Sequence, residues 1–188
     1  MNNMKTAVMI FGRFQPPTIG HNFLFKTLME TCYQWKSDGY IFISPTVDSK
    51  KNPLTLEYRY DLLTSLYPYL DFISHDGIKN PLDAICFLGN FGFERVVIVA
   101  GSDRTEKFNW LQKYINHPDP EKNLRGIKEL NVVVCPRKKD TDLISRVSAT
   151  DARKFSLEGN LQKFETIVTT RGIDTIKLYD SIVKGMMK

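Results

Sequence analysis

The hydrophobic residues of this chain fall into short clusters, separated by polar stretches that contain glycine and proline. Five clusters are rich in β-branched residues and are nearly continuous, rather than alternating with polar positions. That pattern is typical of strands whose two faces are both buried. We therefore predict strands at 6–11, 40–44, 70–74, 95–100 and 130–135.

Between the predicted strands, hydrophobic residues recur every three or four positions, which indicates amphipathic helices. One such pattern starts near Gly20 or His21, one follows Thr55, and one surrounds Ala84. Alternating strands and helices predict a parallel sheet. We expect a doubly wound, Rossmann-like α/β fold, in which a five-stranded parallel sheet has helices on both faces and a helical C-terminal segment follows.

Composition agrees with this fold class. The chain has 188 residues, 42% of them hydrophobic, which is enough for a substantial core. No linker, internal repeat or low-complexity tract divides it. We interpret residues 1–188 as a single domain, with an α/β core at 1–145 and a helical part at 146–188.

Charge and cysteine content narrow the function. The formal net charge of +5 suits anionic small molecules, but the chain lacks the dense Arg/Lys block of a nucleic-acid groove. Three cysteines in apolar stretches, without a CxxC pattern, indicate buried thiols in a reducing compartment. No apolar run approaches membrane-spanning length, and the N-terminus lacks a signal-peptide pattern. We expect a cytoplasmic protein that binds neither nucleic acid nor membranes.

The segment GRFQPPTIGH, residues 12–21, joins the first predicted strand to the first predicted helix. In a parallel α/β sheet, ligands bind beyond the carboxyl ends of the strands. Free N–H groups at the start of a helix attract anions there. His21 can donate a hydrogen bond to a phosphate, and Arg13 adds a fixed positive charge. The alternative interpretation is an ordinary strand–helix turn with a surface histidine.

Two further segments place cations near predicted helix starts. In RVSATDARK, Ser148 or Thr150 can cap a helix, and Arg153 lies one turn further along the same face. In KKNPLTLEYRYDLL, Thr55 can cap a helix whose Arg59 lies either near a phosphate or in solvent. Each pattern alone is also a common helix-capping sequence.

A fourth segment, VAGSDRTEKFNW, follows the fourth predicted strand. Asp103 can accept a hydrogen bond from a ligand, and Ser102 can cap a helix. Trp110 can stack on a ring, although an aromatic residue at this helical position is also typical of a core.

The segment GRFQPPTIGH resembles the T/HxGH signature of the nucleotidylyltransferase superfamily, and RVSATDARK resembles its ISSTxxR motif. The lead-in GRFQP is most similar to NMN adenylyltransferases of the archaeal type. The combination of KKNPL, GSDR and SATxxR also resembles nucleotidylyltransferase-like proteins of tailed phages. If this protein is phage-encoded, the expected location is the host cytoplasm. NMN enzymes usually have histidine where this chain has Thr18, whereas pantetheine-phosphate enzymes have threonine.

The resemblance implies three groups of site residues. The implied catalytic residues are Thr18, His21 and Arg153. The implied nucleotide- and phosphate-binding residues are Gly12, Arg13, Phe14, Gly20, Ser148 and Thr150. The implied acceptor-binding residues are Arg59, Asp103 and Trp110. The resemblance implies no metal ligand among the side chains.

The resemblance also implies a reaction, in which ATP and NMN give NAD and pyrophosphate by direct in-line attack of the acceptor phosphate. Such catalysis consists mainly of alignment and charge stabilisation. Mg²⁺ would be held mainly by the ATP phosphates and water. The expected partners are ATP and a phosphorylated small molecule. Homo-oligomer formation stays open, because the apolar C-terminal helix could cover either the core or a second copy.

Two alternatives remain open. One keeps the chemistry and changes the substrate to pantetheine phosphate, a sugar or alcohol phosphate, or to CTP in place of ATP. The other is a non-catalytic nucleotide-binding protein, which would bind ATP without releasing pyrophosphate. Thr18 favours another acceptor, whereas Gly12-Arg13-Phe14-Gln15 favours NMN.

Overall fold

A computed structural model describes residues 4–102, 108, 110–119, 123–135, 148–168 and 172–188. Five strands form one sheet, and every strand pair in it is parallel. Each strand matches a predicted segment to within two residues at either end. The strands are β1 Thr6–Gly12, β2 Asp38–Ile43, β3 Asp71–Ser74, β4 Arg95–Gly101 and β5 Glu129–Cys135.

Helices follow the strands and then occupy the C-terminal part. The first begins at Ile19, slightly earlier than the expected start at Gly20 or His21, because Thr18 occupies the N-cap position. Thr55 caps the second helix as expected, since its hydroxyl accepts from the N–H of Tyr58. The helices are α1 Ile19–Trp35, α2 Leu56–Leu66, α3 Pro81–Asn90, α4 Ala149–Leu157, α5 Leu161–Ile167 and α6 Thr175–Met186, with a short 3₁₀ helix at Trp110–Tyr114.

The strand order is β3-β2-β1-β4-β5. The chain winds outward from β1 through β2 to β3, and then returns to the other side of β1 to form β4 and β5. The winding direction therefore reverses between β1 and β4. In open parallel sheets, ligands bind outside the carboxyl ends of the strands at this switch point. Gly12 and Gly101 end the two strands there.

Both faces of the sheet are buried. Ala7 and Met9 of β1 face a cluster that includes Ala84 of α3. Val8 and Ile10 point to the opposite cluster, which α1 and α2 cover. The near-continuous apolar pattern of β1 thus has its physical explanation. The doubly wound α/β fold is confirmed.

The C-terminal helices form a third apolar cluster against α2 and the segment before it. Phe164 of α5 and Leu178 of α6 are buried there with Leu54 and Leu62. This packing fixes α4 beside the carboxyl end of the sheet. The interpretation of the chain as a single domain stays a prediction. Within the described residues, no helix is both long and apolar enough to cross a membrane.

Candidate functional site

A cavity of about 620 Å³ opens at the switch point. Its walls come from the loop after β1, one face of α1 between residues 20 and 30, the loop after β2, the ends of β4 and β5, and the start of α4. Nine of the twelve expected site residues lie on these walls. They are Gly12, Arg13, Phe14, Thr18, Gly20, His21, Ser148, Thr150 and Arg153.

The loop after β1 is shaped by Phe14, whose side chain is buried although its backbone has a left-handed φ of 50°. Its ring lies directly over Gly12, where an added Cβ would come within 2.5 Å of Phe14 Cζ. The same ring lies 5.0 Å from the His21 ring, centre to centre. Gly12 and Phe14 therefore support the cavity wall beside His21, and both line the cavity. The nucleotide contact that we expected of them stays a prediction.

Thr18 fixes the orientation of His21. The Thr18 N–H donates to His21 Nδ1 at 2.9 Å, and Thr18 Oγ1 lies 3.0 Å from the same nitrogen. Because Nδ1 accepts this hydrogen bond, the proton of a neutral His21 ring belongs on Nε2, which is then a donor. Thr18 itself is 1% exposed. Its position fits the support of His21 better than the phosphate contact through its hydroxyl that we expected.

Arg153 joins the two motifs, although they lie far apart in sequence. Its Nη1 donates to the carbonyl of Gln15 at 2.7 Å, across 138 residues of chain. Its Nη2 donates to Thr150 Oγ1 at 3.1 Å. Ser148 caps α4 through a capping box with Asp151. The start of α4 is thereby held against the loop after β1.

The electrostatics of this wall favour an anion. Burial, followed by the positive charge of nearby Arg13, lowers the pKa of Arg153, while Asp48 opposes that shift. Burial is the larger cause of this lowered pKa, and the smaller contribution of Arg13 means that the two cations repel each other. A bound phosphate would relieve that repulsion.

Lys51 and Asn52 also lie on the wall and were not among the expected site residues. Asp48 builds their turn, because its Oδ1 accepts from the N–H groups of Lys50 and Lys51 at 2.9 and 2.6 Å. The Lys51 N–H, then the Asn52 side chain, lower the pKa of Asp48 to about 2. The signal in the sequence is the DSKKN turn, in which an aspartate can accept from following N–H groups.

Arg59 lies elsewhere than expected. It is 0% exposed and does not line the cavity. Its Nη1 donates to the carbonyls of Arg13 and Ser44, both at 2.7 Å. Burial lowers its pKa to about 10, so it remains charged at neutral pH. Its side chain is fully engaged beneath the two loops, and this corrects the expectation that it contacts an acceptor phosphate.

The segment after β4 matches the expectation least. Asp103 lies outside the described residues. Trp110 is 44% exposed, packs edge-on against Tyr114 and does not line the cavity. Neither acceptor stacking nor core burial describes its position. Gly101 and Phe108 of this segment line the cavity instead.

The far end of the cavity is formed by one face of α1 and the end of β5. Phe23, Lys26, Thr27 and Glu30 come from the helix, and Thr27 Oγ1 donates to Cys135 Sγ at 3.4 Å. The surface mixes an aromatic ring, a hydroxyl and both charges, which suits a nucleoside more than a phosphate. No motif marks these residues. Only their spacing of three and four along α1 groups them.

No family model and no curated protein sequence matches the chain. Its fold is similar to that of Plasmodium falciparum nicotinic acid mononucleotide adenylyltransferase complexed with NaAD, with a TM-score of 0.65 and 16% identity over 94% of this chain and 98% of that one. The complex of that protein with APC gives 0.63, with the same identity and coverage. Apo TmcAL from Thermotoga maritima gives 0.52 at 11% identity; 98% of this chain is covered, against 57% of that one. At these identities, the similarity concerns the fold alone.

Proposed function

We propose that this protein is a nucleotidylyltransferase, and that its leading reaction is transfer of AMP from ATP to the phosphate of NMN, giving NAD and pyrophosphate. The observation that carries the proposal is the contact of Arg153 with the Gln15 carbonyl. This contact brings the starts of α1 and α4 to one cavity, together with Arg13 and Lys51.

The charge of the cavity supports a triphosphate ligand. Four cationic side chains lie on its walls, and Glu30 is the sole carboxylate among the described wall residues. Two helix N-termini add partial positive charge. Arg13, Lys51 and Arg153 lie at the phosphate end, whereas Lys26 pairs with Glu30 at the other end, at 3.7 Å. An anion with several charges fits the first group best.

The proposed chemistry needs no general base. An oxygen of the acceptor phosphate attacks the α-phosphorus of ATP, a new P–O bond forms, and the bond to the bridging oxygen breaks to release pyrophosphate. The attacking phosphate is already ionised, so no proton has to be removed. His21 would donate from Nε2 to an oxygen of the α-phosphate, and Arg153 would neutralise the leaving pyrophosphate.

Mg²⁺ belongs to the proposal only as a companion of ATP. Within the described part of the chain, no three His, Cys, Asp or Glu side chains group together as metal ligands. Mg²⁺ prefers water and phosphate oxygens to a cage of side chains, so a triphosphate in this cavity would carry its own ion. No step of the mechanism is assigned to it.

The acceptor is the finer part of the proposal. The fold similarity to a nicotinic acid mononucleotide adenylyltransferase, and the GRFQ lead-in, favour a pyridine mononucleotide. Thr18 keeps the alternative of another phosphorylated acceptor, such as pantetheine phosphate. Its buried contact with His21 uses a hydroxyl where the NMN enzymes usually have a ring.

The proposal is tested by pyrophosphate release from the purified protein with Mg²⁺ and either ATP or CTP. The acceptors are NMN, nicotinic acid mononucleotide and pantetheine phosphate, each assayed separately with its dinucleotide or coenzyme product measured. We expect release with ATP and a pyridine mononucleotide. Release with pantetheine phosphate alone would keep the reaction and change the acceptor. ATP binding without pyrophosphate release in the presence of any of these acceptors would favour the non-catalytic alternative.

A further inference from the structure

Two buried polar side chains connect the loop after β1 to the loop after β2. The first is Arg59, whose guanidinium is shared between the carbonyls of Arg13 and Ser44. Its Nε and Nη2 donate to two further carbonyls, those of Thr55 at 3.2 Å and Thr46 at 3.4 Å. No described carboxylate pairs with it. Arg59 therefore uses its hydrogen bonds to fix backbone, not to neutralise a neighbouring charge.

Gln15 makes the second connection, with 2% of its surface exposed. Its Nε2 donates to the Leu54 carbonyl at 2.8 Å, and its Oε1 accepts from the Leu54 N–H at 2.9 Å. Its own carbonyl accepts from Arg153. One residue thus joins the loop after β1 both to the segment before α2 and to α4.

The backbone groups fixed in this way belong to the residues that would bind phosphate, or to their close neighbours. Arg13 presents its carbonyl to Arg59, while the residue itself lies on the cavity wall. Ser44 and Thr46 lead into the turn that places Lys51 on the cavity wall. The loops that carry Arg13 and Lys51 are therefore joined through Arg59.

We propose that Arg59 is a positioning residue of the phosphate site: its guanidinium sets the spacing between the loops that carry Arg13 and Lys51, without touching the ligand. The inference rests on the proposed function of this cavity. The planar, fixed arrangement of donors in the Arg59 guanidinium is essential, because a lysine ammonium keeps the charge but cannot bind the same four carbonyls. Arg59→Lys thus separates charge from positioning.

The test measures binding of pyrophosphate and of Mg²⁺–ATP by calorimetry, at a temperature where every variant is folded by circular dichroism. We expect Arg59→Lys to weaken the binding of both ligands roughly 10–100-fold, because misplaced charged hydrogen bonds lose that much affinity. Leu63→Ala is the matched control, since Leu63 lies one turn further along α2 and is fully buried in the core. A role in stability alone would lower the unfolding temperature of both variants and leave both affinities within about twofold of wild type.

A double-mutant cycle adds a measurement of coupling in ligand binding, which a loss of stability alone does not change. Because Arg153 is held through the same loop, Arg59→Lys and Arg153→Lys should weaken binding less in combination than the sum of their separate effects. Wild-type affinity in folded Arg59→Lys would overturn the inference. If that variant does not fold, Arg59→Gln replaces it, and unchanged affinity there would overturn the inference equally. Wild-type protein that binds neither ligand would instead refute the proposed function.

Discussion

The two ends of the cavity differ in how they are built. The phosphate end consists of loop backbone and helix starts, and polar contacts fix its side chains, such as His21 by Thr18 and Arg153 by Gln15. The far end consists of the side of a continuous helix, with the partly exposed Phe23 and a weak Thr27–Cys135 hydrogen bond. Polar contacts therefore preorganise the phosphate end, whereas the far end is one side of a helix with few such contacts.

This difference indicates where selectivity for the acceptor can change. A site that aligns phosphates for in-line attack tolerates little displacement, since misplacement of about 1 Å can cost two orders of magnitude in rate. A helix face can exchange side chains without moving the backbone. We therefore expect substitutions at the phosphate end to change turnover and the affinity for ATP. Substitutions at the far end should change the KM of the acceptor.

The largest effect is expected for His21→Ala, which removes the donor to the reacting phosphate. Turnover should fall roughly 10²–10³-fold, with the fold intact. The measurement is kcat for pyrophosphate release. His75→Ala is the control, because that histidine lies in an exposed turn outside the cavity. Full turnover in folded His21→Ala would remove this residue from the mechanism.

Arg153→Ala should weaken ATP binding by about 10–100-fold and also lower kcat, because the charge of Arg153 contacts the phosphates before and during the reaction. The neighbouring Lys154→Ala is the matched control, since that side chain is exposed and pairs with Glu158. The readout is the dissociation constant of ATP beside kcat. A lower kcat with unchanged ATP affinity would contradict the assignment of Arg153 to the ground-state phosphates.

Gly12→Ala should destabilise the protein by about 1–3 kcal/mol, because the new Cβ would overlap the buried Phe14 ring. ATP binding should weaken as well, since Phe14 lies under His21. Thermal unfolding with and without ATP measures both effects. The double variant Gly12→Ala/Phe14→Leu should recover part of the loss by freeing space. No recovery would indicate that Gly12 matters for another reason.

The smallest effect is expected for Phe23→Ala at the far end. The KM of the acceptor should rise about two- to tenfold, while the KM of ATP stays unchanged. Met29→Ala is the matched control, because Met29 lies on the same helix, is equally exposed at 41%, and does not line the cavity. A larger change for ATP than for the acceptor would reverse the assignment of the two ends.

The fold was predictable because its signals are local. A run such as RVVIVA is typical of a strand buried on both faces, as in a parallel sheet covered by helices, and β4 forms there. Glycine and proline punctuation marked the strand ends. The switch point then followed from topology rather than from any single residue.

The site was predictable only where a motif specifies backbone as well as side chain. The spacing that groups Thr18 with His21 also fixes a helix start, so their positions followed. Arg59 did not follow, because a position within a helix pattern does not say whether an arginine turns toward the ligand or toward carbonyls beneath the loops. Lys51 was missed because its placement depends on the turn made by Asp48. The face of α1 carries no local signal of a ligand at all.

We propose that this protein cleaves ATP between the α- and β-phosphates and transfers the nucleotidyl group. The most direct test incubates the protein with a pyridine mononucleotide and ATP labelled at either the α- or the γ-phosphorus, and locates the label. We expect the α-label to enter the dinucleotide product and the γ-label to leave as pyrophosphate. Transfer of the γ-label to the acceptor, or ATP bound with neither label released, would contradict it.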